Sequence, residues 1–417
     1  MANSILTPTM ITREALRVLH QKCNFLGNVN RQYDDRFAQT GAKIGTSLNI
    51  RMPSKYTTRT GATLSTQDHV ERSTPLAVAS QIGVDVSFTS VELTMNLDDF
   101  SQRIIDPAMA QLAATIESNC FGDAYKLVPN YTGTTNGQIT YKEFQQNGAS
   151  ITKNLGPTSQ RSAWLNPDSV VEFNDAVKGL FQDSKAVSKQ YREGMMGRTG
   201  GFDVFENTLI PSHTRGSLAG TPVTNGTGLG TSTTANSWVS QTDLSIDGAT
   251  SGTTVLAGDI ITLSGVYDVH PESKANTGSL KKFVVQSDVT LTTAATAYTV
   301  TVKPGLIYGS GNAYQNCALS GVANTDGLTV TAFGVASTTY GQNIFAHKDA
   351  FVFATADLED VSQYGAWGAR EVMDGISMRI SKQYDITNDA VPCRIDVLYG
   401  FAGLYPELAT RHFHAQS

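Results

Sequence analysis

N-L-D-D-F-S-Q-R-I-I-D-P-A-M-A-Q-L-A-A-T-I-E-S-N-C-F-G-D-A-Y-K-L-V, Asn96 to Val128, decides how the rest of the chain is read. Ile105, Met109, Leu112, Ile116 and Cys120 recur every three or four residues, the spacing of one buried helix face. Pro107 stands inside that stripe. A proline in a helix interior removes a hydrogen bond and clashes with the preceding turn, but at the first helical position its missing N–H costs nothing. Asp106 before it is a favourable cap. The pair predicts a helix that starts at Pro107 and spans roughly 30 Å to Val128. Asn96–Ile105 then becomes a hinge, and Asp98-Asp99-Phe100 a short turn whose carboxylates are capping and first-turn charges rather than an acid–base pair.

Upstream the period changes to two. Leu48, Ile50 and Met52 alternate with Asn49 and Arg51, the pattern of a half-buried strand. Val84, Val86 and Phe88 form a second run, and Val91, Leu93 and Met95 continue it after a slip at Thr89–Ser90 that reads as a β-bulge. A polar, Thr-rich stretch carrying Lys55, Arg59 and Arg72 joins the two runs. A structureless loop of that length is rare in a compact domain. The arms therefore predict a long hairpin reaching to a neighbouring subunit. Lys55, Arg59 and Arg72 are the candidate inter-subunit contacts, solvated or paired with acidic groups across a boundary. Before the hairpin, Leu16, Leu19 and Cys23 predict a helix over Thr12–Cys23, packed on its own domain or lying as an arm on a neighbour.

Downstream of the helix the stretch to Pro157 reads as irregular. Arg161–Leu165 predicts a strand, and Asn166-Pro167 repeats the cap-plus-proline start before a helix stripe of Val170, Val171, Phe173, Ala176, Val177, Leu180 and Phe181. A short helix over Ser184–Arg192 follows. The glycines at 194, 197, 200 and 201 lack the Gly-Lys-Ser/Thr ending of a phosphate loop and precede a strand, Phe202–Glu206, so they predict a tight turn. From Ser212 the composition shifts to Gly, Thr and Ser, with no Lys or Arg between Gly216 and Ser273. Gly216–Gly252 reads as an adaptable surface loop. Short β-type runs from Val255 to Val335 predict an all-β barrel or sandwich inserted into a host. The host resumes with a strand through I-F-A-H-K-D-A-F-V-F-A and closes on two extended runs, Ile376–Asp385 and Pro392–Gly400, paired as a hairpin.

The 417 residues suffice for two or three domains. A net charge of −6 gives no global attraction to nucleic acid or anionic membranes. Cys23, Cys120, Cys317 and Cys393 lie far apart without a C-x-x-C pair, the pattern of reduced packing residues. The first residues show no signal-peptide pattern, which predicts folding in the cytoplasm. The seven histidines show no metal-ligand spacing. His412 and His414 share a strand face, but two ligands at a terminus make a poor site. No nucleophile elbow, Cys–His arrangement or general-acid pair is visible. No catalytic, cofactor or metal site is therefore assigned.

Several segments together resemble one family. They are G-A-K-I-G-T-S-L-N-I-R-M-P (Gly41–Pro53), D-P-A-M-A-Q-L-A, G-M-M-G-R-T-G-G-F-D-V-F-E-N-T-L-I-P, F-A-H-K-D-A-F (Phe345–Phe351) and R-I-D-V-L-Y-G-F-A-G-L-Y-P-E-L-A (Arg394–Ala409). In this order they resemble the gene-five-type coat proteins of short-tailed double-stranded-DNA bacteriophages. G-D-I-I-T-L-S-G-V, K-F-V-V and T-V-T-V-K-P resemble that family's inserted β-domain, and the likeness departs over Gly216–Gly252. The resemblance implies the α+β major capsid fold shared by tailed phages and herpesviruses. It implies an N-terminal arm (1–40), an extended β-hairpin loop (41–96), a peripheral-domain spine helix (97–128), an axial domain (129–212, returning at 343–360), an inserted β-barrel (213–342) and peripheral-domain strands (361–417). It further implies a major capsid protein forming hexamers and pentamers of an icosahedral shell, assembled in the host bacterial cytoplasm with a scaffolding protein and a portal, around double-stranded DNA held by weak non-specific contact. A β-rich adhesin or decoration module, and a glycan hydrolase with an accessory β-domain, are the alternatives from other classes.

Overall fold

A computed structural model describes residues 23–31, 47–64, 66–89, 106–134, 139–177, 197–226, 229–230, 237–292, 297–358, 361, 367–373 and 376–415. The predicted Thr12–Cys23 and Ser184–Arg192 helices, the Asn96–Ile105 hinge with its Asp98-Asp99-Phe100 turn, and the slip into Ser90 lie outside them. The chain divides into two compact units, residues 1–50, 74–121 and 351–404, and residues 51–73, 122–350 and 405–417.

In the first unit, helix α1 (Asp106–Leu127, whose last six residues belong to the second unit) starts where the aspartate–proline pair places it. Met109, Leu112, Ile116 and Cys120 are buried as the stripe predicts, and Ala113, Glu117 and Phe121 widen it. Glu117 is buried because it accepts a hydrogen bond from the Phe25 N–H (2.5 Å). Phe25 also packs against Phe121 with the rings tilted, their centroids 4.3 Å apart. A five-stranded sheet carries Phe351–Ala356, Ala390–Gly403, Ile376–Lys382 and Trp367–Met373 in that order, with Ser80–Thr89 also paired to Ala390–Gly403. The two closing runs do form an antiparallel hairpin.

Two strands pair or end differently from the sequence pattern. The arm from Val84 does not pair with the arm from Leu48, because Ser80–Thr89 is engaged along its length by Ala390–Gly403, from Ser80↔Tyr399 to Thr89↔Ala390. The partner of Ser47–Met52 is instead Arg72–Ala77, disguised in the sequence by Pro75, which cannot donate to a ladder and is tolerated here in a two-stranded sheet. The run through Phe345–Phe351 is two strands, Thr339–His347 and Phe351–Ala356, separated by a 3₁₀ turn at Lys348–Ala350.

The second unit holds two seven-stranded sheets among the described residues. The mixed one is ordered Tyr131–Thr132, Ala409–Ala415, Thr339–His347, Arg161–Leu165, Phe202–Glu206, Arg198–Thr199, with Ser212–Thr214 beside Thr339–His347. Helices α2 (Tyr141–Lys153) and α3 (Pro167–Val177) share a core with it, in which Phe144, Phe173, Phe202 and Phe345 cluster. At α3 the Asn166 side chain accepts the Ser169 N–H (2.9 Å), the cap its sequence predicts. Helix α2 replaces the irregular stretch expected there. Its signal was present as T-Y-K-E, since Thr140 and Glu143 form a full capping box.

The other sheet runs Cys317–Leu319, Ile260–Val269, Asn276–Val285, Tyr298–Lys303, Thr242–Ala249, Gly220–Thr224, with Val330–Ala332 also on Ile260–Val269. A bridge between Val223 and Thr329 joins the Gly220–Thr224 edge to the segment entering Val330–Ala332, so the strand path returns on itself. Leu244, Ile246, Val266, Phe283, Val300 and Val302 fill its interior. Gly216–Gly252 is not wholly a loop, because it supplies two of these strands.

Candidate functional site

The loop Arg51–Ser73, with its three candidate contact cations, is organised around Tyr314. The Tyr314 hydroxyl donates to Val70 O (2.7 Å) and accepts from the Lys55 N–H (3.2 Å). The Ser54 hydroxyl also donates to Val70 O, at 3.1 Å. The Arg72 guanidinium lies 5.7 Å over the Tyr314 ring, and its Nε donates to Pro53 O (3.2 Å). Arg72 is buried and Lys55 half-buried, so both sit at the root of the loop. Burial, followed by the nearby Arg72 charge, lowers the Lys55 pKa. Further out, the Gln67 amide closes the loop on the backbone of Thr57, accepting its N–H (2.9 Å) and donating to its carbonyl (2.5 Å). Beyond that clasp Arg59 is exposed and donates to the nearby Gly61 carbonyl, and Leu64 is 78% exposed. Of the three predicted contacts, then, the Arg72 guanidinium and the Lys55 backbone meet on Tyr314, with the Lys55 ammonium within electrostatic range of Arg72, and Arg59 stands apart at the tip.

A second constellation sits on the strand Ala409–Ala415. Arg411 is fully buried, and donates to Gly258 O from both terminal nitrogens (3.0 and 3.0 Å) and to Gln342 Oε1 (3.2 Å). The Tyr125 and Phe413 rings flank it at 5.7 and 5.3 Å. Burial pulls its pKa down to about 9. Beside Gly258, Asp259 accepts from His213 Nε2 (2.8 Å), the Gly216 N–H (3.1 and 3.2 Å) and the Leu256 N–H (2.9 Å). This ties the start of the Ser/Thr/Gly-rich region to its first returning turn.

On the opposite strand face, His412 and His414 are buried and face different carboxylates, Glu143 at 3.9 Å and Glu172 at 3.3 Å. They sit inside a sheet rather than at a loose terminus. The His412 contact, and then the Thr140 capping bonds, hold the Glu143 carboxyl down to about 2 against the opposing effect of burial. Among the described residues no group of three or more His, Cys, Asp and Glu converges as a metal site. All four cysteines are buried free thiols, and burial pushes Cys23 and Cys317 up to about 12. These contacts hold chain segments together. Tyr314, Asp259 and Arg411 were not singled out by the sequence, since no spacing marks them.

The model of the family described as P22 coat protein, gene protein 5, matches residues 3–414. The chain belongs to the P22 coat protein family. It is a major capsid protein of a bacteriophage, a structural subunit that assembles with its copies into the icosahedral shell of the virion. Its α+β, strand-rich fold is that of a phage capsid protein. Solved structures similar to this coat protein include one from Mycobacterium phage Che8, with 10% identity and a TM-score of 0.47, covering 94% of this chain and 90% of that one. The mature capsid of bacteriophage PhiM1 gives 8% identity and a TM-score of 0.43, over 90% and 84% of the two chains. The satellite phage P4 procapsid including size determination protein gives 8% and 0.41, over 100% and 94%. No curated protein matches the coat protein in sequence.

Proposed function

We propose that this coat protein forms hexamers and pentamers that close into a shell with a scaffolding protein and a portal, in the host cytoplasm, and that the loop at Arg51–Ser73 is its reaching element. The observation that carries this reading is the division of that loop into a root fixed on Tyr314 and an exposed tip with Arg59 and Leu64. A reaching contact needs a fixed base and a free end. Spread over several neighbours, modest contacts of this kind add up in a closed shell. In the same reading the closed ring of strands within 213–342 is an inserted barrel on an axial domain, and the five-stranded sheet with the first turns of α1 is the peripheral domain. The net charge of −6 suits a container that holds DNA weakly. Co-expression with a scaffolding protein should give uniform shells in electron micrographs. Replacing residues 58–64 with Gly and Ser should leave folded subunits that close few or no shells; normal shells from that variant would refute the role of the tip.

A further inference from the structure

The Tyr314 shelf gathers more positive charge than it neutralises. Lys274 joins Lys55 and Arg72 there, its ammonium donating to Pro271 O (2.7 Å) and Gln315 O (3.1 Å). Lys281 lies nearby but is engaged by Asp268 at 2.7 Å. Among the described residues no carboxylate pairs with Lys55, Arg72 or Lys274, although Glu272 and Glu407 are within electrostatic range of Lys55. Burial and the charges of Lys55, Arg72 and Lys281 push Lys274 down to about 8. Crowding like charges in a partly dehydrated place is unfavourable unless an anion is shared between them. Arg72 is fixed by its ring and carbonyl contacts, while Lys55 and Lys274 are only half-buried, so the shelf is both preorganised and open.

We propose that this shelf binds a carboxylate side chain of a second copy of the chain when the shell assembles. A second copy is the partner that fits: the protein packs against its own copies, and each carries 37 acidic against 31 basic side chains. The inference rests on the reading of Arg51–Ser73 as an inter-subunit element, and turns its root as well as its tip into contact surface.

The test uses the full chain, as an equal mixture of ¹⁴N- and ¹⁵N-labelled copies, unassembled and in shells. A carbodiimide activates a carboxylate, and a contacting lysine amine then displaces urea to form an amide. Mass spectrometry should find mixed-isotope peptides joining Lys274 or Lys55 to an Asp or Glu in shells and not in free subunits. Acylation of Lys274 should slow about tenfold on assembly for each unit by which a bound carboxylate raises its pKa. Unchanged acylation, or amides only to Glu272 or Glu407 of the same chain, would overturn the proposal. So would protection seen only in DNA-filled particles and lost on nuclease treatment, which would assign the shelf to phosphate. Shells with an unprotected Lys274 sink this inference alone, whereas failure of the wild-type chain to form shells sinks the assembly reading with it.

Discussion

Asp259 accepts from three buried or half-buried donors, and the geometry predicts different costs for two ways of removing its charge. Alanine leaves the His213, Gly216 and Leu256 donors without an acceptor. At about 1–3 kcal/mol each, and with partial relaxation, the loss should be about 3–6 kcal/mol. Asparagine is milder because the donors are not spread evenly. Oδ2 already serves both Gly216 (3.1 Å) and Leu256 (2.9 Å), so an amide oxygen placed there keeps both. The amide nitrogen then faces His213 Nε2 and donates to it in the ring tautomer that carries its proton on Nδ1. What is lost is the charge assistance, about 1–2 kcal/mol. Urea unfolding midpoints of the unassembled subunit should therefore rank wild type, Asp259→Asn, Asp259→Ala. Native-state exchange of the Gly216 and Leu256 amides should accelerate roughly 10²- to 10⁴-fold in the alanine variant and little in the asparagine one. Equal costs for the two variants, or less than about 1 kcal/mol for alanine, would refute this account of the carboxylate.

Three further outcomes can be checked on the same unassembled chain. Glu143→Gln should lose about 1–2 kcal/mol at pH 7, the carboxylate being partly screened by solvent; because folding lowers this pKa from 4.5 to about 2, the contribution is full above the unfolded pKa, and acid titration should bring variant and wild type together as pH falls through 2. Gly83→Ala would bring a Cβ to 2.6 Å from Ile395 O and against the Asp396 carboxylate, which Arg379 holds at 2.7 Å, so it should cost about 1–3 kcal/mol in thermal melts. Gly122→Ala, by contrast, fills open space inside α1 and should stabilise by up to about 1 kcal/mol in the same melts.

Where local signals agreed with tertiary packing, the fold was legible. Asp106-Pro107 and Asn166-Pro167 both mark helix starts, and the alternation in Ile376–Asp385 and Pro392–Gly400 gave a real hairpin. It was obscured where one signal hid another. Pro75 masks a strand that exists, and α2 has few apolar positions, Phe144 and Ile151, to give its pattern a helical period despite its capping box. The pairing of Ser80–Thr89 was hidden for a different reason: period-two alternation says that a strand has two faces, not which distant strand lies beside it. The candidate contact cations were found by composition, but their division into root and tip depends on Tyr314, about 240 residues later in sequence. His412 and His414 read as terminal, although the structure buries both, together with Arg411 between Ala409 and Phe413.

Their burial has a register logic. Consecutive residues of a strand point to opposite faces, so Arg411 and His412 address different neighbours. Arg411 meets Gly258 O, Gln342 and Tyr125, whereas His412 and His414 meet the carboxylates of α2 and α3. An apolar strand that slipped by one residue would still bury apolar surface on both sides. Here the same slip would drive the Arg411 guanidinium toward the side lined by Phe144 and Phe345, away from the carbonyls that satisfy it, and pull both histidines from their carboxylates. An unpaired buried charge costs several kcal/mol, so the polar pattern penalises every register but one. Apolar neighbours such as Phe413, Phe345 and Phe144 supply the attraction, and the alternating polar residues determine where it stops.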